Sequence, residues 1–263
     1  MNLLRAIHPL RLREMLYYRL LGQSEAWPAA AANGGYPLVF GSVRLRRLMT
    51  TDSAHRAIAW MGFYELALSR FLARLAKEGG TLVDVGANVG YFSCLWAAAQ
   101  PANRVHAFEP SPQVVALLRE NLAGQNFSSR VRVFDNALGR ADEEAGFTLG
   151  PAGQTGWGGI TATPDGGEIS VSVRRLDRLF DASCVIEVLK VDVEGADTCV
   201  LYGAEGLLRG KRIKHVFFER NRPRMSQLGI AWSEPMDFLA DCGYRVCRIN
   251  GGEDCDEAHA EPV

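Results

Sequence analysis

The chain has 263 residues, 48% hydrophobic and 22% charged, which is enough apolar material for one large α/β domain with an N-terminal extension. A formal net charge of −1 and an isoelectric point near 6.5 leave no global electrostatic case for nucleic-acid binding, so the expected partner is a small molecule or glycan. No apolar run reaches the ~18 residues of a membrane span, and six cysteines without a CxxC pair or a secretory leader read as reduced thiols in a cytoplasmic protein.

In chain order, residues 2 to 21 mix Leu, Ile, Met and Tyr with Arg5, Arg11, Arg13 and Arg19. Such a basic amphipathic helix fits a peripheral contact with a membrane surface, or packing on its own domain with the arginines outward. Residues 22 to 50 form a turn-rich connector around Pro28, Ala29 to Ala32, Asn33 and Gly34, followed by a strand pair between Leu38 and Leu48. The pattern divides the chain into an extension and connector over 1–53 and an α/β domain over 54–263. A helix is predicted over 54–77, from the apolar stripe Ile58, Met61, Leu66, Leu68, Phe71, Leu72 and Leu75.

Strands and helices then alternate. Strands are predicted over 81–86, 104–109, 131–134, 185–191, 214–218 and 244–249, with helices over 90–99, 112–123, 197–208 and 236–242. Between 145 and 175, short β-like runs alternate with glycines, as in a β insertion or lid. This alternation implies a doubly wound, mostly parallel sheet with helices on both faces and ligands at the carboxyl ends of its strands. The acidic, turn-rich tail GGEDCDEAHAEPV after Ile249 offers no obvious last strand. Cys242, Cys247, Cys255 and His259 cluster in sequence without the spacing of a zinc site.

The stretch VDVGANVGYF, residues 83 to 92, runs from a strand through a glycine turn into a helix, the layout of a nucleotide site. A phosphate-binding P-loop needs a Gly-Lys-Ser/Thr ending, and the only lysines are Lys77, Lys190, Lys211 and Lys214. A dinucleotide fingerprint needs G-x-G-x-x-G, whereas Gly86 and Gly90 stand four apart around Ala87 and Asn88. Asp84, just before the turn, suits a ligand with a cationic end such as S-adenosylmethionine. Glu109, at the end of the second strand, is placed to accept from ribose hydroxyls, though an NAD ribose would ask the same of it.

With VDVGANVGYF taken together with AFEPSP (107 to 112), DNALG (135 to 139), TGWGGI (155 to 160) and LKVDVEGADTCVLYGA (189 to 204), the chain resembles the FkbM-type S-adenosylmethionine-dependent methyltransferases over roughly residues 60 to 225. The resemblance implies a class I methyltransferase fold. It implies that Asp84, Gly86, Asn88 and Gly90 surround the methionine part of the cofactor, Glu109 its ribose, and Asp135, Asn136 and Ala137 its adenine edge. It also implies O-methylation of a sugar, polysaccharide, glycolipid or natural product. In the last of these motifs the family's usual glutamate after EGA is replaced by Asp197. A binding module without catalysis and, more remotely, a nicotinamide-dependent reductase are the competing readings.

Methyl transfer to an alcohol requires removal of the hydroxyl proton. With period two, Asp192 and Glu194 point one way at the end of the fourth strand, and Glu219 and Asn221 stand at the end of the fifth. Either Asp192, Glu194 or Glu219 acts as a general base, or Asp192, Glu219 and Asn221 hold Mg²⁺ against the acceptor oxygen. Lys190 is expected to pair with Glu194 or Glu187. His106 and His215 read as core histidines, His55 as within reach of the site, and Trp157 as a face for stacking a sugar.

Overall fold

The computed structural model describes every residue except 1–2, 31–33, 152, 164–165 and 182. The first residue of the basic N-terminal segment and Ala31 to Asn33 of the connector thus lie outside the described residues. Helix α1 (Leu10–Leu20) and the two-stranded ribbon of β1 (Tyr36–Pro37) and β2 (Arg44–Leu45) lead into α2 (Ser53–Met61) and α3 (Leu66–Leu75). Then follow β3 (Thr81–Val85), α4 (Tyr91–Ala99), β4 (Arg104–Phe108), α5 (Pro112–Leu122) and β5 (Val131–Phe134). The insertion contributes β6 (Ala137–Leu138), β7 (Glu143–Thr148), β8 (Gly159–Ile160) and β9 (Ile169–Arg174), after which the chain turns through α6 (Leu176–Leu179). The last part comprises β10 (Ile186–Val191), α7 (Asp197–Gly203), α8 (Glu205–Arg209), β11 (Ile213–Asn221), α9 (Arg222–Gln227), α10 (Glu234–Asp241), β12 (Tyr244–Gly251) and β13 (Cys255–Pro262).

The main sheet has the order β12-β13-β11-β10-β3-β4-β5. Strands β11, β10, β3, β4 and β5 pair in parallel, and β13 runs antiparallel between β11 and β12. This is the doubly wound, Rossmann-like sheet of the class I methyltransferases. Alternate residues feed two cores. Leu82, Val105, Ala107, Val188 and Phe217 pack with α2, α3 and α4, whereas Val83, Val85, Leu189, Val191 and Phe218 pack with α7, α8 and α10. The insertion folds as a separate four-stranded sheet, β6-β9-β7-β8, around Ala137, Ala145, Phe147, Val171 and Val173.

Three expectations are corrected. The tail does form a strand, β13, because Asp256 and Glu261 are paired and its small residues are buried. Asp256 receives two bonds from Arg220 at 2.9 and 2.6 Å, Glu261 pairs with Arg245, and Ala258 and Ala260 pack into the core. The helix predicted over 54–77 is two helices, since Gly62 takes a left-handed φ of +80° and caps α2. The arginines of the N-terminal segment do not all face outward. Arg5 donates to the Ala59 carbonyl at 2.9 Å and buried Arg13 to the Met61 carbonyl at 2.8 Å, satisfying C-terminal carbonyls of α2 that have no partner within the helix. Leu12, Met15, Tyr18 and Leu20 of α1 remain exposed, and no helix among the described residues is long and apolar enough to cross a membrane.

Candidate active site

The turn after β3 lies where neighbouring strands diverge, β4 on one side and β10 on the other, the crevice in which doubly wound sheets bind ligands. Gly86 has φ +72°, and a Cβ there would sit 1.9 Å from the Asp192 carbonyl oxygen, so only glycine lets the β3 loop pass the end of β10. Asn88 is also left-handed, at φ +48°, and its side-chain oxygen accepts from Val89 N–H at 2.8 Å. Gly90 caps α4 and packs toward Leu118.

A cavity of about 700 Å³ opens above this turn. Its wall includes Gly86, Ala87, Asn88, Glu109, Asn136 and Ala137. Glu109 is buried and holds the loops on either side of it: one carboxylate oxygen accepts from Asn88 N–H at 3.0 Å and the other from Ser111 N–H at 2.9 Å. Burial pushes its carboxyl up to about 7 against these two bonds. A carboxylate offers about four lone-pair positions, so two remain for a ligand diol.

Part of the cavity wall is acidic. Asp192, Glu194 and Glu219 all line it, together with Asn221 and Glu65. Burial, and then the charge of Asp192, lifts both Glu194 and Glu219 to about 8. Glu65, at a left-handed φ of +42°, lies well above the ordinary carboxyl range for the same two reasons. Asp197 accepts from Glu219 N–H at 3.0 Å and from Val193 N–H at 3.4 Å, so this shorter substitute for the usual glutamate ties the ends of β10 and β11 together.

Lys190 is the cation beneath these acids. Its ammonium donates to the Gly86 carbonyl at 3.1 Å and to Asp192 at 3.3 Å, and stands 3.6 Å from Asp84. Burial opposes its charge, but Asp192 and Asp84 outweigh burial and hold it above the ordinary lysine value. The expected pairing with Glu194 or Glu187 does not form. Glu187 lies on the opposite side of β10 by period two and pairs with Lys214 at 2.7 Å.

A profile of the methyltransferase FkbM domain matches residues 84–246, more than half of the chain. The chain belongs to the FkbM methyltransferase family. It is 34% identical over 158 residues to the 31-O-demethyl-FK506 methyltransferase FkbM of Streptomyces tacrolimicus, covering 49% of this chain and 61% of that protein. It is 36% identical over 204 residues to the AMB antimetabolite synthetase AmbE of Pseudomonas aeruginosa, covering 63% of this chain and 9% of that protein. Thus it spans less than two thirds of either relative. The solved structure of an FkbM methyltransferase from Methylobacillus flagellatus superposes with a TM-score of 0.49 at 18% identity, over 70% of this chain and 44% of that one.

Within this FkbM domain the residues picked from sequence divide. Gly86, Asn88, Glu109, Asn136 and Ala137 line the cavity, as do Asp192, Glu194 and Glu219. Asp84, Gly90 and Asp135 are not part of its wall. Asp84 is fully buried beneath the turn, where it accepts from Ser93 Oγ at 2.6 Å, so its charge serves Lys190 and α4 and not a ligand directly. Asp135 is exposed and bonds Arg119 at 3.0 Å, which holds its carboxyl below the usual range.

Other wall residues come from outside the FkbM match. His55 accepts from Met49 N–H at Nδ1, leaving Nε2–H to donate to the Asn88 side chain at 3.0 Å. Asp52 caps α2 through His55 N–H and accepts from Thr155 N–H at 2.7 Å, fastening the insertion to α2. Tyr17 and Tyr18 of α1 and Tyr64 also line the cavity, and so, from within the match, does Trp157 of the insertion, 55% exposed.

Lys190→Met is expected to cost about 3–5 kcal/mol of stability, because Asp84 and the Gly86 carbonyl lose the cation between them. Denaturant unfolding would show this as a lower midpoint at unchanged slope. A midpoint like that of the unsubstituted protein would mean that Lys190 does not hold the turn.

Proposed function

We propose that the protein is an S-adenosylmethionine-dependent O-methyltransferase acting on a hydroxyl of a polar small molecule, a sugar or a natural product. The observation that carries the proposal is one continuous cavity joining the glycine turn and the two remaining acceptor positions of Glu109 to the carboxylates of Asp192, Glu194 and Glu219. About 700 Å³ lies within the ~300–1,000 Å³ range of small-molecule sites. A diol-bearing cofactor with cationic groups suits an acceptor-rich wall in which a phosphate would meet mainly negative charge. Similarity to the Streptomyces 31-O-demethyl-FK506 methyltransferase supports transfer to an oxygen.

Bound S-adenosylmethionine supplies an electrophilic methyl group on a sulfonium. The chain's own residues hold the cofactor at Glu109, Asn88, Asn136 and Ala137, wall the acceptor with Tyr18, Tyr64 and Trp157, and accept its proton at Glu194 or Glu219. Asp192, bonded to Lys190, stays in place as the charge that raises both glutamates. Mg²⁺ held by Asp192, Glu219 and Asn221 is the second reading. The base is favoured because burial and the charge of Asp192 raise Glu194 and Glu219 to about 8, the range in which a carboxylate takes up a proton efficiently.

The test is calorimetric titration with S-adenosylhomocysteine, S-adenosylmethionine and NADH, followed by mass spectrometry of hydroxyl acceptors incubated with the protein and S-adenosylmethionine. Micromolar binding of the first two and a methyl-mass increment on an acceptor are expected. Binding of NADH alone would overturn the reading, and cofactor binding without transfer to any acceptor would favour the non-catalytic module.

A further inference from the structure

His215, His259 and Glu261 converge, with ligand atoms all within 4.8 Å of one another. His259 and Glu261 lie on one face of β13. The register pairs β11 Phe217 with His259 and Val216 with Ala260, so His215 meets Glu261 at the next rung on that same face. His215 is four residues before Glu219, about 13 Å along the strand, and none of the three lines the cavity. The site is therefore separate from the proposed methyl-transfer chemistry.

We propose that His215, His259 and Glu261 form a binding site for a divalent transition-metal ion of the zinc type. His215 Nδ1 and His259 Nε2 are 3.0 Å apart, whereas two imidazole nitrogens on a tetrahedral Zn²⁺ are about 3.3 Å apart, so a small rotation of one ring makes room. The hydrogen now shared between these nitrogens moves to the other nitrogen of its own ring, with no net loss of a proton. Burial lowers both imidazoles, His259 to about 4, which favours the neutral form that ligates a metal. The His259 ring is fixed by Phe217 at 4.6 Å and Phe71 at 4.8 Å, which removes much of the ordering cost of binding.

Glu261 is the adjustable ligand. Its present partner, Arg245, is 68% exposed, and surface pairs of this kind contribute little, so the carboxylate is free to turn inward. Two imidazoles and a carboxylate suit Zn²⁺, Co²⁺ or Ni²⁺ better than Mg²⁺ or Ca²⁺. An ion here would clamp β13 to β11, the pair that also carries Glu257 and Glu219. The grouping of Cys242, Cys247, Cys255 and His259 visible in sequence is not the site. Cys242 packs in the core on the other side of the sheet, and Cys255 bonds Glu219 at the carboxyl end of β11.

The test is calorimetric and thermal titration of chelator-stripped protein with Zn²⁺, repeated for His215→Gln, Glu261→Gln and Cys247→Ser, with the Co²⁺ absorption spectrum as a second readout. One equivalent should bind the unsubstituted and Cys247→Ser proteins and raise their melting temperature. His215→Gln should lose at least about tenfold in affinity, with an unchanged melting temperature in chelator, and Co²⁺ should give no thiolate charge-transfer band. Absence of binding, equal binding by His215→Gln, or loss of binding in Cys247→Ser with a thiolate band would each overturn the proposal.

Discussion

Replacing Glu109 with alanine is expected to weaken S-adenosylhomocysteine binding by at least about 10²-fold, since two charge-assisted hydrogen bonds to a ribose diol are worth roughly 1.5–3 kcal/mol each. The residue acts twice. Its bonds from Asn88 and Ser111 N–H set the positions of the β3 and β4 loops, and the lone pairs left over face the cavity. Glu109→Gln separates the two roles, because one carbonyl oxygen can still accept from one loop while the ribose loses the charged partner. It should fall between the alanine variant and the unsubstituted protein in calorimetry, with the far-ultraviolet circular dichroism of all three alike. The sign of the pH dependence follows from burial, which places the carboxyl at about 7. Below that pH the protonated acid uses one oxygen as a donor, so cofactor affinity should rise as pH increases through 7. Affinity within a few-fold of the unsubstituted protein in both variants would remove Glu109 from the ribose.

The glycine turn and the strands that aim it were legible in sequence because their signals are local. Positive φ at Gly86 and Gly90, the buried apolar runs of β3 and β10, and the apolar run of α4 are each written in a few consecutive residues. What sequence hid depends on partners far along the chain. Asp84 has the spacing of a ligand-facing acid, yet the pleat turns it toward Ser93 and Lys190, and nothing local distinguishes a carboxylate above the strand end from one beneath it. Asp135 follows β5 in the motif expected to meet adenine, but Arg119 on α5 draws it to the surface. The strand β13 was hidden by charges whose partners, Arg220 and Arg245, lie in other strands. Glu65 joins the cavity only because Gly62 breaks a helix that the apolar stripe alone would have carried through.

One of the variants Glu194→Gln and Glu219→Gln, the one that removes the proton acceptor, is expected to lower kcat by roughly 10² to 10⁴-fold with cofactor affinity unchanged. The two glutamates share a cause for their raised values, burial followed by the charge of Asp192, and both sit at about 8. A base must be ionised to act, so with the hydroxyl acceptor found by mass spectrometry the rate should rise about tenfold per pH unit below 8 and level off above it. Asp192→Asn provides the independent check. It leaves both glutamates in place but removes the negative charge that opposes their ionisation, so the acidic limb should move to lower pH. A Mg²⁺ site would respond differently: Asp192→Asn would remove a ligand, and raising the metal concentration would restore rate without moving the limb. The outcome against the base is a rate flat between about pH 6 and 9, or a kcat that neither glutamine variant changes, since a proton acceptor with a raised pKa leaves both marks.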